Sequence, residues 1–298
     1  MGVQKEKTIK HQTPSFNQSC NDKWYYVVRP SKGLFDLQLS ELWRYRDLVM
    51  LFVRREFVSK FKQTILGPAW FVIQPLISTI MFTIVFGNIA KLSTDGLPKM
   101  LFYFSGNILW LYFSGSLSAC SNTFTDNAHI FGKVYFPRLV IPVSIVISQC
   151  MTFGLQFFFF LLFWGYYLVG GNIHPNATIL LFPVLVMIMA AMSFSLGILF
   201  SSMTTKYRDM RFLLDFGVRL AMYATPVIYP VSSIPEKYKL FVLLNPMTPI
   251  IETFRYGFLG QGAFSWWYLF YSGAVTGLLL LIGGVTFTHV ECTFMDTV

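Results

Sequence analysis

The chain has 298 residues, 54% of them hydrophobic and only 12% charged, with a formal net charge of +9. Ordinary soluble domains carry about 25% charged residues, so this composition cannot cover a water-facing surface and excludes a soluble globular protein. The basic excess reads as a membrane-topology signal rather than a nucleic-acid footprint, and its inner rim suits anionic lipid heads.

In chain order, residues 1–23 are polar and charged with no apolar central stretch, so no signal peptide is expected. Residues 1–41 read as a cytoplasmic tail in which WYYVV at 24–28 is a candidate short strand. From Leu42 the apolar residues Tyr45, Val49, Phe52 and Val53 recur at helical spacing, while Arg44, Arg55 and Lys62 fall along one basic line. This pattern predicts an amphipathic helix over 42–64 lying in the cytoplasmic interface. Ordinary positive-inside residues flanking a span are the plainer alternative.

Spans are found where charges are missing, because a charge at the bilayer centre costs about 2.5–3.5 kcal/mol and a crossing needs roughly 20 apolar residues. Charge-free stretches predict six helices near 66–90, 100–122, 139–168, 178–202, 214–233 and 265–289, which together form a transmembrane domain over 65–290. Gly67-Pro68 stands where the chain turns from flat to upright. Gln74-Pro75 interrupts the first span, and such an interruption is tolerated in lipid where a neighbour satisfies the freed carbonyl.

On the second span Tyr103, Asn107, Trp110, Ser114, Ser118 and Ser121 share one helical face. Lipid penalises that face, so it looks into the bundle, a dimer interface or water. Trp70, Gln74 and Ser78 form a similar stripe on the first span, and Tyr223 is the candidate from the fifth. Read as a conduit lining, these rings and polar groups face whatever the bundle passes. Helix packing by small residues and interfacial aromatic belts are the competing readings.

Orientation follows from Lys and Arg, which concentrate in cytoplasmic segments. With both termini inside, the inner segments hold 12 in 1–62, 2 in 122–138 and 4 in 204–219, 18 in all, against 2 in 91–99 and 3 in 231–264 outside. The C-terminal tail, 291–298, is then cytoplasmic. Between the fifth and sixth spans the short apolar runs over 235–262 are divided by Asn245-Pro246 and Thr248-Pro249, which predicts a re-entrant outer hairpin on which Glu252 and Arg255 can pair.

Cys20, Cys120, Cys150 and Cys292 lack paired spacing, and the four histidines are scattered, so neither a disulfide framework nor a metal site is expected. The spans are nearly free of ionisable groups, and no Gly-x-x-x-x-Gly-Lys-Ser/Thr loop occurs. The expectation is a non-enzymatic, all-α membrane conduit that binds no cofactor itself and whose energy comes from a partner.

The order YRDLVMLFVRREFVSKFKQTILGPAWFVIQPL, NAHIFGKVYFPRLVIPVS, KYRDMRFLLDF, TPVIYP and LNPMTPIIETFRYGFLG resembles the permease subunit of ABC-2 exporters, within them the O-antigen (Wzm-type) polysaccharide exporters. The resemblance covers roughly residues 30–290. It implies a permease dimer in the bacterial inner membrane, paired with two separate ATPase subunits that hold ATP and magnesium, and a lipid-linked polysaccharide substrate. It places coupling loops at 123–138 and 203–213, with Asn127, Lys133, Tyr135, Arg138, Lys206, Arg208 and Asp209 as contacts to the ATPase. A plain helix start is equally compatible with Arg138. The same likeness makes the hairpin over 235–262 a periplasmic gate with Asn245, Pro246, Pro249, Glu252 and Arg255. The basic line of Arg44, Arg55 and Lys62 is assigned to the lipid pyrophosphate head, though anchoring to anionic lipids explains it as well. Capsule, teichoic-acid, drug or lipid export is the alternative within the class, and a membrane glycosyltransferase or polymerase the alternative outside it.

Overall fold

The structure is a computed structural model that describes residues 39–60, 62, 64–131, 133, 136–171, 173–207 and 209–294; among these there are helices and turns and no strands. Much of the predicted cytoplasmic tail, including the WYYVV stretch, and the last residues of the chain lie outside the described residues.

The chain enters through α1 (Leu39–Arg44) and α2 (Arg46–Ser59). The helix expected over 42–64 is thus divided at Tyr45 and ends at Ser59. Val49, Phe52 and Val53 are buried in a cluster with Phe136, Val140, Ile141 and Ile145, so the apolar face of α2 packs on the long helix that starts at Val140. At Gly67 the backbone takes φ +52, a left-handed conformation that glycine adopts without a Cβ penalty, and Pro68 opens the one-turn helix Gly67–Ala69 that starts the first span. That span continues as α3 (Trp70–Phe82) and then a π-helical segment, Thr83–Ile89.

After α4 (Lys99–Ser121) and the short α5 (Thr123–Phe131) come the long helices α6 (Val140–Val169), which packs on α2 and α4, and α7 (Phe182–Lys206), which packs on α4. The chain then runs through α8 (Asp209–Ala224), the short α9 (Glu236–Leu243) and α10 (Met247–Leu259), and ends in α11 (Trp266–Phe294). Four segments are long and apolar enough to cross a membrane: Gly67–Ile89, Val140–Val169, Ala177–Lys206 and Trp266–Phe287.

The remaining two predicted spans differ for separate reasons. Helix α4 is long enough but carries serines, tyrosines and Asn107, and 16 of its 23 residues are buried because it packs on α3, α6, α7, α8 and α10. Asn107 and four of its five serines bond to protein, while the Tyr103 and Tyr112 hydroxyls are buried without a hydrogen-bond partner among the described residues. Helix α8 has 16 residues, about 24 Å at 1.5 Å per residue, short of a hydrocarbon core of about 30 Å. It ends nine residues before the predicted boundary at 233 because Pro226 disfavours helix at the preceding Thr225.

Helix α10 explains the short apolar run at 250–258. Twelve of its thirteen residues are buried, and Phe254 and Phe258 stack 4.6 Å apart within a ring cluster that includes Phe157, Phe160 and Phe182. Trp164 Nε1 donates to the Phe258 carbonyl at 2.6 Å.

Candidate functional site

Three neighbourhoods collect the sequence-selected residues. The first lies where α2, α5 and the α7–α8 turn meet. Arg55 Nη2 donates to Asn127 Oδ1 at 3.2 Å while its guanidinium sits 4.6 Å over Phe52. Asn127 is buried and donates to the Thr123 carbonyl. Its neighbour Asp126 accepts an ion pair from Arg211 at 3.6 Å, and Thr204 Oγ1 donates to the Ser121 carbonyl at 2.6 Å. The two segments named as coupling loops are therefore tied to each other and to α2. Arg138 is buried with its guanidinium facing the Phe131 ring; Lys133, Lys206 and Asp209 are exposed. Tyr135 and Arg208 lie outside the described residues. Arg44, Arg55 and Lys62 of the basic line are all exposed, and the guanidinium of Arg55 is turned to Asn127.

The second neighbourhood is the polar stripe of α4, which the structure divides among several partners. Asn107 Nδ2 donates to the Pro75 carbonyl at 3.1 Å, Ser78 Oγ at 2.6 Å and Thr79 Oγ1 at 3.2 Å, fastening α4 to α3. Tyr103 is fully buried, edge-on to Phe102. Trp110 is also buried, at 4% exposure, but it borders a cleft of about 590 Å³ between α4, α7, α8 and the chain at Asn245 to Met247, together with Phe113, Met192 and Phe200. Ser118 donates to Asp215 on α8 at 3.3 Å. Trp70 and Tyr223 are exposed, and α8 also exposes Phe212, Phe216 and Leu220 on the same side chain spacing of four.

Gln74 and Ser114 meet elsewhere, in a polar pocket of about 280 Å³ between α3, α4 and α6 that also takes in Gln149, Thr152, Gln156 and Lys60 at the end of α2. Gln156 Nε2 donates to the Phe71 carbonyl at 3.1 Å. Burial holds the Lys60 ammonium below the ordinary lysine range, and the Glu56 carboxylate partly opposes this. The sequence pattern places Lys60 and Glu56 on the apolar side of the amphipathic helix, where the periodicity degrades; Gln149 and Gln156 are not singled out, and isolated glutamines inside an apolar run are the signal that marks them.

The third neighbourhood is the turn before α10. Asn245 Nδ2 donates to Thr225 Oγ1 at 2.8 Å, its Oδ1 accepts the Met247 amide, and the Pro246 carbonyl accepts Ser272 Oγ. Pro249 sits in the first turn of α10, where the missing amide costs no helical bond. Arg255 is 1% exposed and forms a 3.6 Å ion pair with Glu252, whose Oε2 accepts the Ala263 amide. Its guanidinium donates to the carbonyls of Pro226 and Val227 at 2.6 and 2.7 Å and lies 3.8 Å from the centre of the Phe102 ring. One buried cation thus joins α10, the turn after α8, and α4.

Comparison with known proteins adds a family to this geometry. The pattern described as ABC-2 type transporter matches residues 47–259. The O-antigen export system permease protein RfbA of Myxococcus xanthus is 27% identical over 219 residues, 73% of this chain and 82% of the relative. A protein of the same name from Klebsiella pneumoniae is 26% identical over 251 residues, 84% of this chain and 94% of the relative. The polysialic acid transport protein KpsM of Escherichia coli is 21% identical over 217 residues, 70% and 81% of the two chains.

Proposed function

Since the chain belongs to the ABC-2 type transporter family, we propose that it is the membrane permease subunit of an ATP-driven exporter that moves a lipid-linked polysaccharide of the O-antigen kind outward across the bacterial inner membrane. The observation that carries this reading is the extent of the likeness, which runs over 94% of a relative named for O-antigen export. The likeness to capsule-type relatives is weaker in identity, 21%, and no feature of the cleft favours a smaller cargo.

The sequence holds no phosphate loop, so ATP hydrolysis falls to a separate subunit. The tied surface of α2, α5 and the α7–α8 turn is the natural seat for it, because a push there reaches α8 through Arg211 and Asp215 and α2 through Arg55. In this reading both termini are cytoplasmic and the chain crosses six times. Helices α4 and α8 count as crossings because their polar or short faces are met by protein and by a second copy of the chain. Helices α9 and α10 dip into the outer leaflet without crossing it, as a gate held by Arg255. The cleft at Trp110 and the exposed aromatic face of α8 supply the polymer path between two copies.

The test is purification of the full chain from its native membrane, with the eluate assayed for ATP hydrolysis, alongside deletion of the chain and staining for surface polysaccharide. An accompanying ATPase and loss of surface polymer are expected. An eluate without ATPase activity, or intact surface polymer after deletion, overturns the reading.

A further inference from the structure

The pocket between α3, α4 and α6 is unlike the rest of the apolar interior. Pro75 lacks an amide, so α3 cannot pack there as a continuous ladder, and Gln156 fills the gap by donating to Phe71. Gln149, Thr152 and Gln156 lie at spacings of three and four on one face of α6, and Gln74 and Ser114 face them. At Gly115 an added Cβ would stand 3.5 Å from Gln149 Nε2, so the glycine keeps the amide's side of the pocket open. At the α2 end stands Lys60, half-buried and, among the described residues, without an ion pair. Burial disfavours its charged form more than the Glu56 carboxylate one turn back restores it, so a second anionic partner would stabilise the ammonium. Amides and hydroxyls beside it offer both donors and acceptors, which is the complement of a phosphate bearing hydroxylated carbon.

We propose that this pocket binds the headgroup of a lipid that carries a phosphate ester next to sugar or polyol hydroxyls, with the phosphate on Lys60 and the hydroxyls on Gln74, Gln149 and Ser114. This rests on the export reading only for the identity of the natural lipid. The volume, about 280 Å³, is at the small end of ligand pockets, roughly 300–1,000 Å³, so it takes one headgroup and not a polymer. Its place at the junction of the α2 end with the first span puts the phosphate at the inner interface, where such lipids present it. Arg55, committed to Asn127, leaves this task to Lys60.

The experiment measures retention of three probes by the purified full chain in detergent, using native mass spectrometry: a polyprenyl-phosphate hexose, phosphatidylglycerol, and a phosphate-free hexosyl diacylglycerol. The first is expected to bind and the third is not. Lys60→Met should weaken retention about tenfold or more, as loss of one charge-assisted contact does, while Lys60→Arg keeps most of it. Gly115→Val, which narrows the pocket without touching the charge, should weaken it as well. Preference for the phosphosugar over phosphatidylglycerol names the lipid-linked sugar as occupant; equal, Lys60-dependent retention of both names phosphorylated lipid headgroups in general, and the site stands in either case. Equal binding of the phosphate-free glycolipid, or unchanged retention in a folded Lys60→Met chain, overturns it. Surface polymer that persists after deletion of the chain overturns the export reading alone and leaves the retention result intact.

Discussion

Gln156 on α6 donates to the backbone carbonyl of Phe71 on α3 at 3.1 Å, and this is the carbonyl that Pro75, four residues on, leaves without its helical donor. A neighbouring helix therefore supplies the bond that a proline inside an apolar span withholds. Replacing Gln156 by Leu orphans that oxygen, which should cost about 1–3 kcal/mol. Pro75→Ala restores an amide at the right position, so Gln156→Leu should be much milder in the Pro75→Ala background. The measurement is thermal unfolding of the four chains of this double-mutant cycle in one detergent. Additive effects would show that the two groups do not act on the same carbonyl.

Arg255 should be the least replaceable charged residue of the described chain. Its loss leaves Glu252 buried at 4% exposure and frees two carbonyls, and breaking a buried pair from one side costs about 3–5 kcal/mol. Arg255→Met is expected to lower folded yield sharply, and Arg255→Lys to rescue little because a point charge cannot serve two carbonyls and a ring together. Gly106→Ala tests the same device without changing charge: its Cβ would meet Arg255 Nη2 at 2.7 Å and the Val227 carbonyl at 2.9 Å. A normally stable Gly106→Ala chain would falsify this packing.

How far the sequence reaches can be judged from these residues. Charge-free stretches locate α6, α7 and α11 closely because lipid and the absence of charge are linked by solvation energy alone. The proline signals at 68 and 75 mark the start and the weak point of the first span for the same local reason. The face shared by Tyr103, Asn107 and Trp110 is legible as a face that avoids lipid, yet its partners are not, since packing against α3 and lining a cleft demand the same spacing. The pairing of Glu252 with Arg255 follows from helical periodicity. The grip of Arg255 on the carbonyls of Pro226 and Val227 does not, because it joins residues 29 and 28 positions apart. Lys60 reads in the sequence as a charge on the apolar side of the amphipathic helix, and only the fold sets glutamines beside it.

The tie between Asp126 and Arg211 separates stability from coupling. Both side chains are about half exposed, 55% and 52%, and such pairs contribute about 0–1 kcal/mol. Asp126→Asn and Arg55→Ala should therefore leave the chain folded and inserted. If this surface transmits work from an ATPase, the purified assembly should still hydrolyse ATP while polymer export falls severalfold. Unchanged export in the double variant would detach coupling from this surface. Cysteines at the exposed positions Thr125 and Lys206 should react with impermeant reagent from the cytoplasm alone, and labelling from the periplasm would invert the topology.

Trp110 and Tyr103 share a stripe, and their substitutions should nevertheless have opposite consequences. Tyr103 is fully buried against Phe102, one turn from an Asn107 that holds α3 through three acceptors. Tyr103→Ala opens a large hole there, and aromatic truncations in packed cores cost about 3–5 kcal/mol. Trp110 borders the cleft of about 590 Å³, where truncation widens existing space, so the expected stability loss is smaller. A flat ring at that position offers a sugar C–H face a surface on which to slide, and the exposed Phe216 and Tyr223 of α8 extend it. Trp110→Ala with Tyr223→Ala is therefore expected to keep near-normal protein level and thermal stability while surface polymer falls about tenfold. Tyr103→Ala is expected to lower folded protein, with export per folded molecule retained. The measurement is polymer export normalised to folded protein for each variant. Normal export from the Trp110→Ala, Tyr223→Ala chain removes this path, because Trp110 is the sequence-selected ring that lines the cleft and Tyr223 the one exposed on α8.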